Sequence, residues 1–225
     1  MKNLFIDKRE VLRYLGYRDQ ILDSRIDNLI DECIGEIGFL VRPRYIYKLF
    51  DIYRKDGKIY LQRCILNLEG KDIATHLERA KACILMAVTL GNVVDTKIRY
   101  YEKIDMTKAW ILDACATAAV EEIADNLCNE IEKNISYQDK KLTCRYSPGY
   151  GDFPLELQRD FISALRADRA IGLNVSSHSI LIPKKSITAI VGVIDKKQFT
   201  QQEACLNCNK FLDCEFRKEC DIYGY

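Results

Sequence analysis

The dipeptide Asp56-Gly57 constrains this chain more than any other short feature. It lies between two runs rich in aromatic and β-branched residues, 45–53 and 58–68. Asp-Gly supplies the positive-φ geometry that a two-residue hairpin turn demands, so the two runs are predicted to pair antiparallel. Late in the chain, 180–182 and 187–194 repeat the β-branched pattern around a Pro183-Lys184-Lys185 turn and predict two final paired strands. Helical patterns are interleaved with these. Residues 7–17 read as a short helix with Val11, Leu12 and Leu15 inward. Asp23 or Ser24 caps a second helix, on which Ile26, Leu29, Ile30, Cys33, Ile34 and Ile37 keep one apolar face. Residues 72–90 read as a helix stopped by Gly91, with His76 packed on its apolar side. Thr107 caps a longer helix reaching about residue 133, and Trp110, Ile111, Ala114, Cys115, Ala118, Ile123, Leu127 and Ile131 fit its buried face. Residues 141–146 read as a strand. Pro154 opens a last helix to about residue 167, packed through Leu155, Phe161 and Leu165. The sum is an α+β fold: a mainly antiparallel twisted sheet with long helices packed on it.

A chain of 225 residues suits one large domain with at most a small appendage. The one boundary falls near Lys197, separating a folded domain, 1–197, from a cysteine-rich tail, 198–225. The net charge is +1, with Lys and Arg spread along the length, which argues against a nucleic-acid partner. Neither a signal peptide nor an apolar run of bilayer-spanning length is present, so a cytoplasmic protein with no membrane partner is expected.

Of the ten cysteines, Cys33, Cys64, Cys83, Cys115, Cys128 and Cys144 are scattered over apolar patterns and read as core thiols. The other four form Cys205-x2-Cys208-x5-Cys214-x5-Cys220. Four thiolates with a Cys-x2-Cys knuckle suit a tetrahedral zinc site or an iron–sulfur cluster. The five-residue gaps match neither a zinc ribbon nor a ferredoxin, and the alternative is a tail of unliganded thiols beside Arg217-Lys218.

The densest chemical signal is Arg145-Tyr146-Ser147-Pro148-Gly149-Tyr150-Gly151-Asp152-Phe153-Pro154. Two glycines open unusual backbone angles and leave N–H groups for a ligand. Arg145 offers a planar fork for a carboxylate, and Tyr150 a flat face for an adenine or a sulfonium. The competing interpretation is a surface turn with Arg145 in a salt bridge.

The run Arg145-x-x-Pro148-Gly149-Tyr150 resembles the Arg-x-x-Pro-Gly-Tyr signature of the activation domain of cobalamin-dependent methionine synthase. Ile171-Gly172-Leu173 is similar to that family's Thr-Gly-Met. Residues 176–183 and then Ser186-Ile187-Thr188-Ala189 resemble its Leu-Thr-Glu-Ser-x-x-Met-x-Pro and Ser-Val-Ser-Gly, and Ala118-Ala119-Val120-Glu121 matches a helix near the ligand. The likeness spans roughly residues 90–193. It implies S-adenosylmethionine binding through Arg145, Ser147, Gly149 and Tyr150, with Glu121 balancing the sulfonium. It also implies a short, stand-alone form of the domain that serves the cobalamin-binding module of a separate methionine synthase, with a flavodoxin or other reductase as electron donor. In that chemistry cob(II)alamin takes one electron and is remethylated from S-adenosylmethionine, so cobalamin enters only through the partner and no residue here is catalytic. The electron requirement favours iron–sulfur over zinc in the tail. The family's Asp-Trp-x-Pro-Phe-Phe segment has no counterpart, and its Trp-Tyr aligns with Ile190 and Val191. His178 falls where the family has Ser and takes no role. The alternative function is an iron–sulfur or zinc protein that binds or delivers electrons to a corrinoid protein without methyl transfer.

Overall fold

The computed structural model describes residues 4–17, 20–136 and 138–198. The hairpin forms where Asp-Gly demands it: β1 (Arg44–Lys55) turns at Asp56 and Gly57, both at positive φ, into β2 (Lys58–Leu61), with Lys55 opposite Lys58. The return run then breaks, and its end pairs back as β3 (Asn67–Leu68).

The region 72–90 departs most from expectation. It is a short α3 (Lys71–His76) followed by β4 (Ala82–Thr89), the strand at the centre of the sheet. Seven of the eight β4 residues are buried, because neighbours flank it on both edges and helices or loops cover both faces. Such a strand loses the alternation that would distinguish it from an apolar helix.

β4 pairs with β1 on one edge and with β8 (Ser186–Asp195) on the other, and β8 pairs with β5 (Lys140–Leu142). The six strands run β3-β2-β1-β4-β8-β5, every neighbouring pair antiparallel. The expected pairing of the two late strands is replaced: β7 (Leu181–Ile182) pairs with β6 (Asn174–Val175) in a separate two-stranded sheet.

One face of the sheet is covered by α1 (Lys8–Tyr14), α2 (Ser24–Leu40), α4 (Asn92–Tyr101) and α5 (Met106–Ser136). Asp7 and Asp23 cap the first two by accepting from the backbone N–H groups of Arg9 and Arg25. The sequence reading does not anticipate α4. Asp105, not Thr107, caps α5, its carboxylate accepting from the Lys108 N–H at 3.0 Å. Ala114, Ala116, Ala118 and Ala119 are buried, and their small side chains let α5 lie close on β4 and β8. Trp110 is 59% exposed, so its expected place on the buried face is wrong.

The other face is covered by α3, α6 (Gln158–Leu165) and α7 (Ala167–Ile171) around Phe153 and Phe161. The single helix expected after Pro154 is three pieces: a 3-10 turn at Leu155–Leu157, then α6, then α7 beyond a left-handed Arg166. Leu155 is consequently exposed, while Phe161 and Leu165 pack as expected. Among the described residues no helix is long and apolar enough to cross a membrane. The tail carrying Cys205, Cys208, Cys214 and Cys220 lies outside the described residues.

Candidate functional site

Thr117, Glu121, Asp125 and Cys128 recur at helical spacing and share one face of α5. That face forms a wall of a cavity of about 630 Å³. The facing walls are the segment Thr143 to Arg145 beyond β5, the Tyr146 loop through Ser147 and Tyr150, the start of β8, Gln158 of α6, and Arg13 with Tyr14 of α1. Topology explains the meeting. The chain beyond β5 rejoins β8 through a backbone pair between Tyr146 and Ile190, which brings Arg145 over α5.

Arg145 does two things at once. Its Nη2 donates to Glu121 Oε2 and to Asp125 Oδ1, both at 2.7 Å. Its Nη1 is buried and has no hydrogen-bond partner among the described residues. Burial opposes the guanidinium charge, but the two carboxylates outweigh it and raise the pKa above its ordinary value. The salt-bridged interpretation therefore holds for one nitrogen, and the other remains a donor without an acceptor.

The loop is built differently from expectation. Gly149 takes φ 95° and Gly151 φ 52°, as their residue type allows. Two N–H groups of the turn are taken up within it: the Gly149 N–H donates to the Phe153 carbonyl at 2.8 Å and the Tyr150 N–H to the Ser147 carbonyl at 3.1 Å. The glycines instead let the loop dock on α3. The Asp152 carboxylate accepts from the N–H groups of Lys71 (2.6 Å) and Asp72 (3.1 Å), while the Asp152 N–H donates to Asp72 Oδ2 at 3.1 Å. Asp152 thus caps α3, whose own Gly70 has no side chain to do so. A Cβ on Gly151 would lie 2.1 Å from Asp72 Oδ2.

Of the site residues expected from sequence, Glu121, Arg145, Ser147 and Tyr150 line this cavity together, while Gly149 shapes the turn and is not among the lining residues. Tyr150 is half exposed and meets Tyr146 edge-on at 5.8 Å. His76 is not simply packed in the core. It stacks on Tyr146 at 5.0 Å and lies 3.0 Å from the Thr143 hydroxyl, and burial pulls its pKa down to about 4. It backs the cavity wall as a neutral ring. His178 is exposed on the turn between β6 and β7.

Sequence reasoning missed Asp125, Arg13, Tyr14 and Gln158. Asp125 had a signal, lying one turn beyond Glu121; the others had none, since only the fold brings them in. Gln158 and Thr188 form a buried hydrogen bond in which the hydroxyl donates. Ile190 and Val191 are fully buried, on opposite faces of β8. The six described cysteines are all free thiols; Cys33, Cys83 and Cys115 are buried, and Cys144 is exposed. Among the described residues no His, Cys, Asp and Glu group is suited to hold a metal.

No protein-family model matches the chain, and no curated protein does. Among solved structures, a crystal structure of the MetH reactivation domain bound to AdoHcy is similar. The TM-score is 0.66 at 14% identity, covering 88% of this chain and 77% of that one. The antiparallel sheet with its helical layers is therefore the fold of that reactivation domain.

Proposed function

We propose that this chain binds S-adenosylmethionine in the Arg145 cavity and supports reductive remethylation of cobalamin on a separate methionine synthase. The observation that carries this reading is Arg145, which lines a cavity of about 630 Å³ and whose buried Nη1 has no hydrogen-bond partner among the described residues. A buried donor left without an acceptor costs about 1–3 kcal/mol, a deficit that a carboxylate removes where it reaches that nitrogen. The volume is in the range of small-molecule sites. The fold likeness to a reactivation domain bound to AdoHcy, the demethylated form of the same donor, supports the choice of ligand.

S-adenosylmethionine would supply an electrophilic methyl group. The residues here position it: Arg145 holds the carboxylate, Tyr150 and Ser147 close the loop side, and Glu121 with Asp125 set an opposing charge beside the sulfonium. No acid or base on the chain takes part, and the methyl acceptor comes with the cobalamin-binding module. The four tail thiolates are proposed as the metal site of the electron step. Iron and colour in anaerobically purified protein are the expected result; stoichiometric zinc or a metal-free preparation would overturn it.

Calorimetric titration with S-adenosylmethionine tests the binding. Arg145→Ala is expected to weaken it by about 1.5–3 kcal/mol, the range for a charged hydrogen bond. Absence of both heat and thermal shift at high ligand concentration would remove the proposal.

A further inference from the structure

Strand β1 has an open edge over its first half. Lys55 pairs with Lys58 across the two-residue turn, and the Gln62 N–H still donates to the Asp51 carbonyl. The chain then turns away, the Cys64 N–H donating to the Leu61 carbonyl. Successive residues of a strand direct their N–H and C=O groups alternately to its two edges. On β1 the even-numbered residues serve β4, as the Ile52 N–H does with the Lys81 carbonyl. The backbone groups of Tyr45, Tyr47 and Leu49 therefore point the other way, where no backbone partner meets them among the described residues.

The side chains beside this edge are of two kinds. Val88, Met86 and Ile84 of β4 are buried under the helices, yet their partners on β1, Tyr45, Tyr47 and Leu49, are 40, 42 and 62% exposed. The opposite face is basic. Arg44 lies beside Gly172, and Lys48 donates to the Ala164 carbonyl at 2.8 Å. The segment between those two points, with Arg166 and Arg169 exposed on it, thus runs along the same stretch of β1. Residues 44–51 and 164–172 carry four cations, Arg44, Lys48, Arg166 and Arg169, against two carboxylates, Asp51 and Asp168. Outward lysines ordinarily guard an open edge, but Lys48 is tied down to α6.

We propose that this edge receives an extended segment of a separate protein in which apolar residues alternate with acidic ones. Its backbone pairs with Tyr45, Tyr47 and Leu49 and adds a strand to the sheet. Side chains alternate across a strand, so its apolar residues meet the two tyrosines and the leucine while its acidic residues meet Arg44, Lys48, Arg166 and Arg169. A second copy of this chain is the wrong occupant. Antiparallel pairing of two β1 strands would set the Arg44 and Lys48 rows of both copies on one face, and like charges across a strand pair are destabilising.

The test is hydrogen exchange at single amides, read by NMR on the full chain with short capped peptides. In the first peptide valine alternates with glutamate; in the second, with lysine; the third is the first with alternate backbone nitrogens methylated. In the dilute chain alone, the amides of Tyr45, Tyr47 and Leu49 should exchange far faster than those of Ile46 and Lys48, which bind β4. The glutamate peptide should slow those three amides by roughly tenfold or more. The lysine and methylated peptides should leave them unchanged. Tyr47→Pro removes an outward N–H, spares the β4 ladder, and should abolish the protection at Tyr45 and Leu49. Arg44→Glu combined with Arg169→Glu should transfer the preference to the lysine peptide. None of these residues lines the Arg145 cavity, so S-adenosylmethionine affinity should not change in either variant. Three results each overturn the proposal: protection in the dilute chain alone, protection that rises with protein concentration, or no response to the glutamate peptide at millimolar concentration.

Discussion

The two faces of the sheet are built on opposite plans. One is dominated by α5, a single helix of 31 residues, while the other is assembled from helices of six, eight and five residues and the loop from Tyr146 to Pro154. The long helix fixes its own geometry through backbone hydrogen bonds and presents Glu121 and Asp125 at set positions. The short elements depend on one another: the loop caps α3 through Asp152, and Asp72 of α3 accepts from the loop in return. The cavity lies where the two plans meet. Its carboxylates, Glu121 and Asp125, come from the stiff side, and Ser147 and Tyr150 come from the adaptable one.

The largest effect should come from the short-element core. Phe161→Ala removes a fully buried ring that packs on Phe153 and is expected to cost about 3–5 kcal/mol, read by chemical denaturation. Leu112→Ala on the α5 side should cost about 2–5 kcal/mol. Because both cores share β4, each variant should unfold in one transition; a second transition confined to the Phe161 variant would break the comparison into two independent units.

Acid should act next, through His76. Its folded pKa of about 4 lies below the ordinary 6.5, so the neutral ring favours the folded state. That contribution is complete above about pH 6.5 and is lost as pH falls toward 4, because the unfolded chain takes the proton first. About 3 kcal/mol is at stake. His76→Asn should flatten the stability profile in that window, measured by denaturant midpoints against pH.

The smallest effect sharpens the contrast most. Asp152→Ala and Asp23→Ala each remove a carboxylate that caps a helix, and each should cost about 0.5–2 kcal/mol. Only Asp152→Ala should also weaken S-adenosylmethionine binding, since it releases the loop that carries Tyr150. Equal affinity in the two variants would show that the latch does not organise the site.

The same contrast decides what was legible in the sequence. The hairpin at Asp56-Gly57, the Asp23 cap and most of the buried face of α5 follow from local rules and need no knowledge of the rest. β4 was not legible, because its burial on both faces comes from strands and helices far away in the chain. Arg145, Ser147, Tyr150 and Glu121 could be named from a motif and a helix pattern. Arg13, Tyr14 and Gln158 could not, since nothing at those positions distinguishes a cavity wall from any other surface or core. The docking that the glycines permit was not legible for a related reason: its partner lies about eighty residues away, on α3.

One wall of the cavity is a graduated scale. Thr117, Glu121, Asp125 and Cys128 sit on a helix that rises about 1.5 Å per residue, so they mark off a length of about 16 Å in steps of roughly one turn. A substitution at any mark changes the chemistry at one level and leaves the spacing of the others untouched. Moving a carboxylate along this scale, one turn at a time, would locate the charged atom of a bound molecule without a structure of the complex.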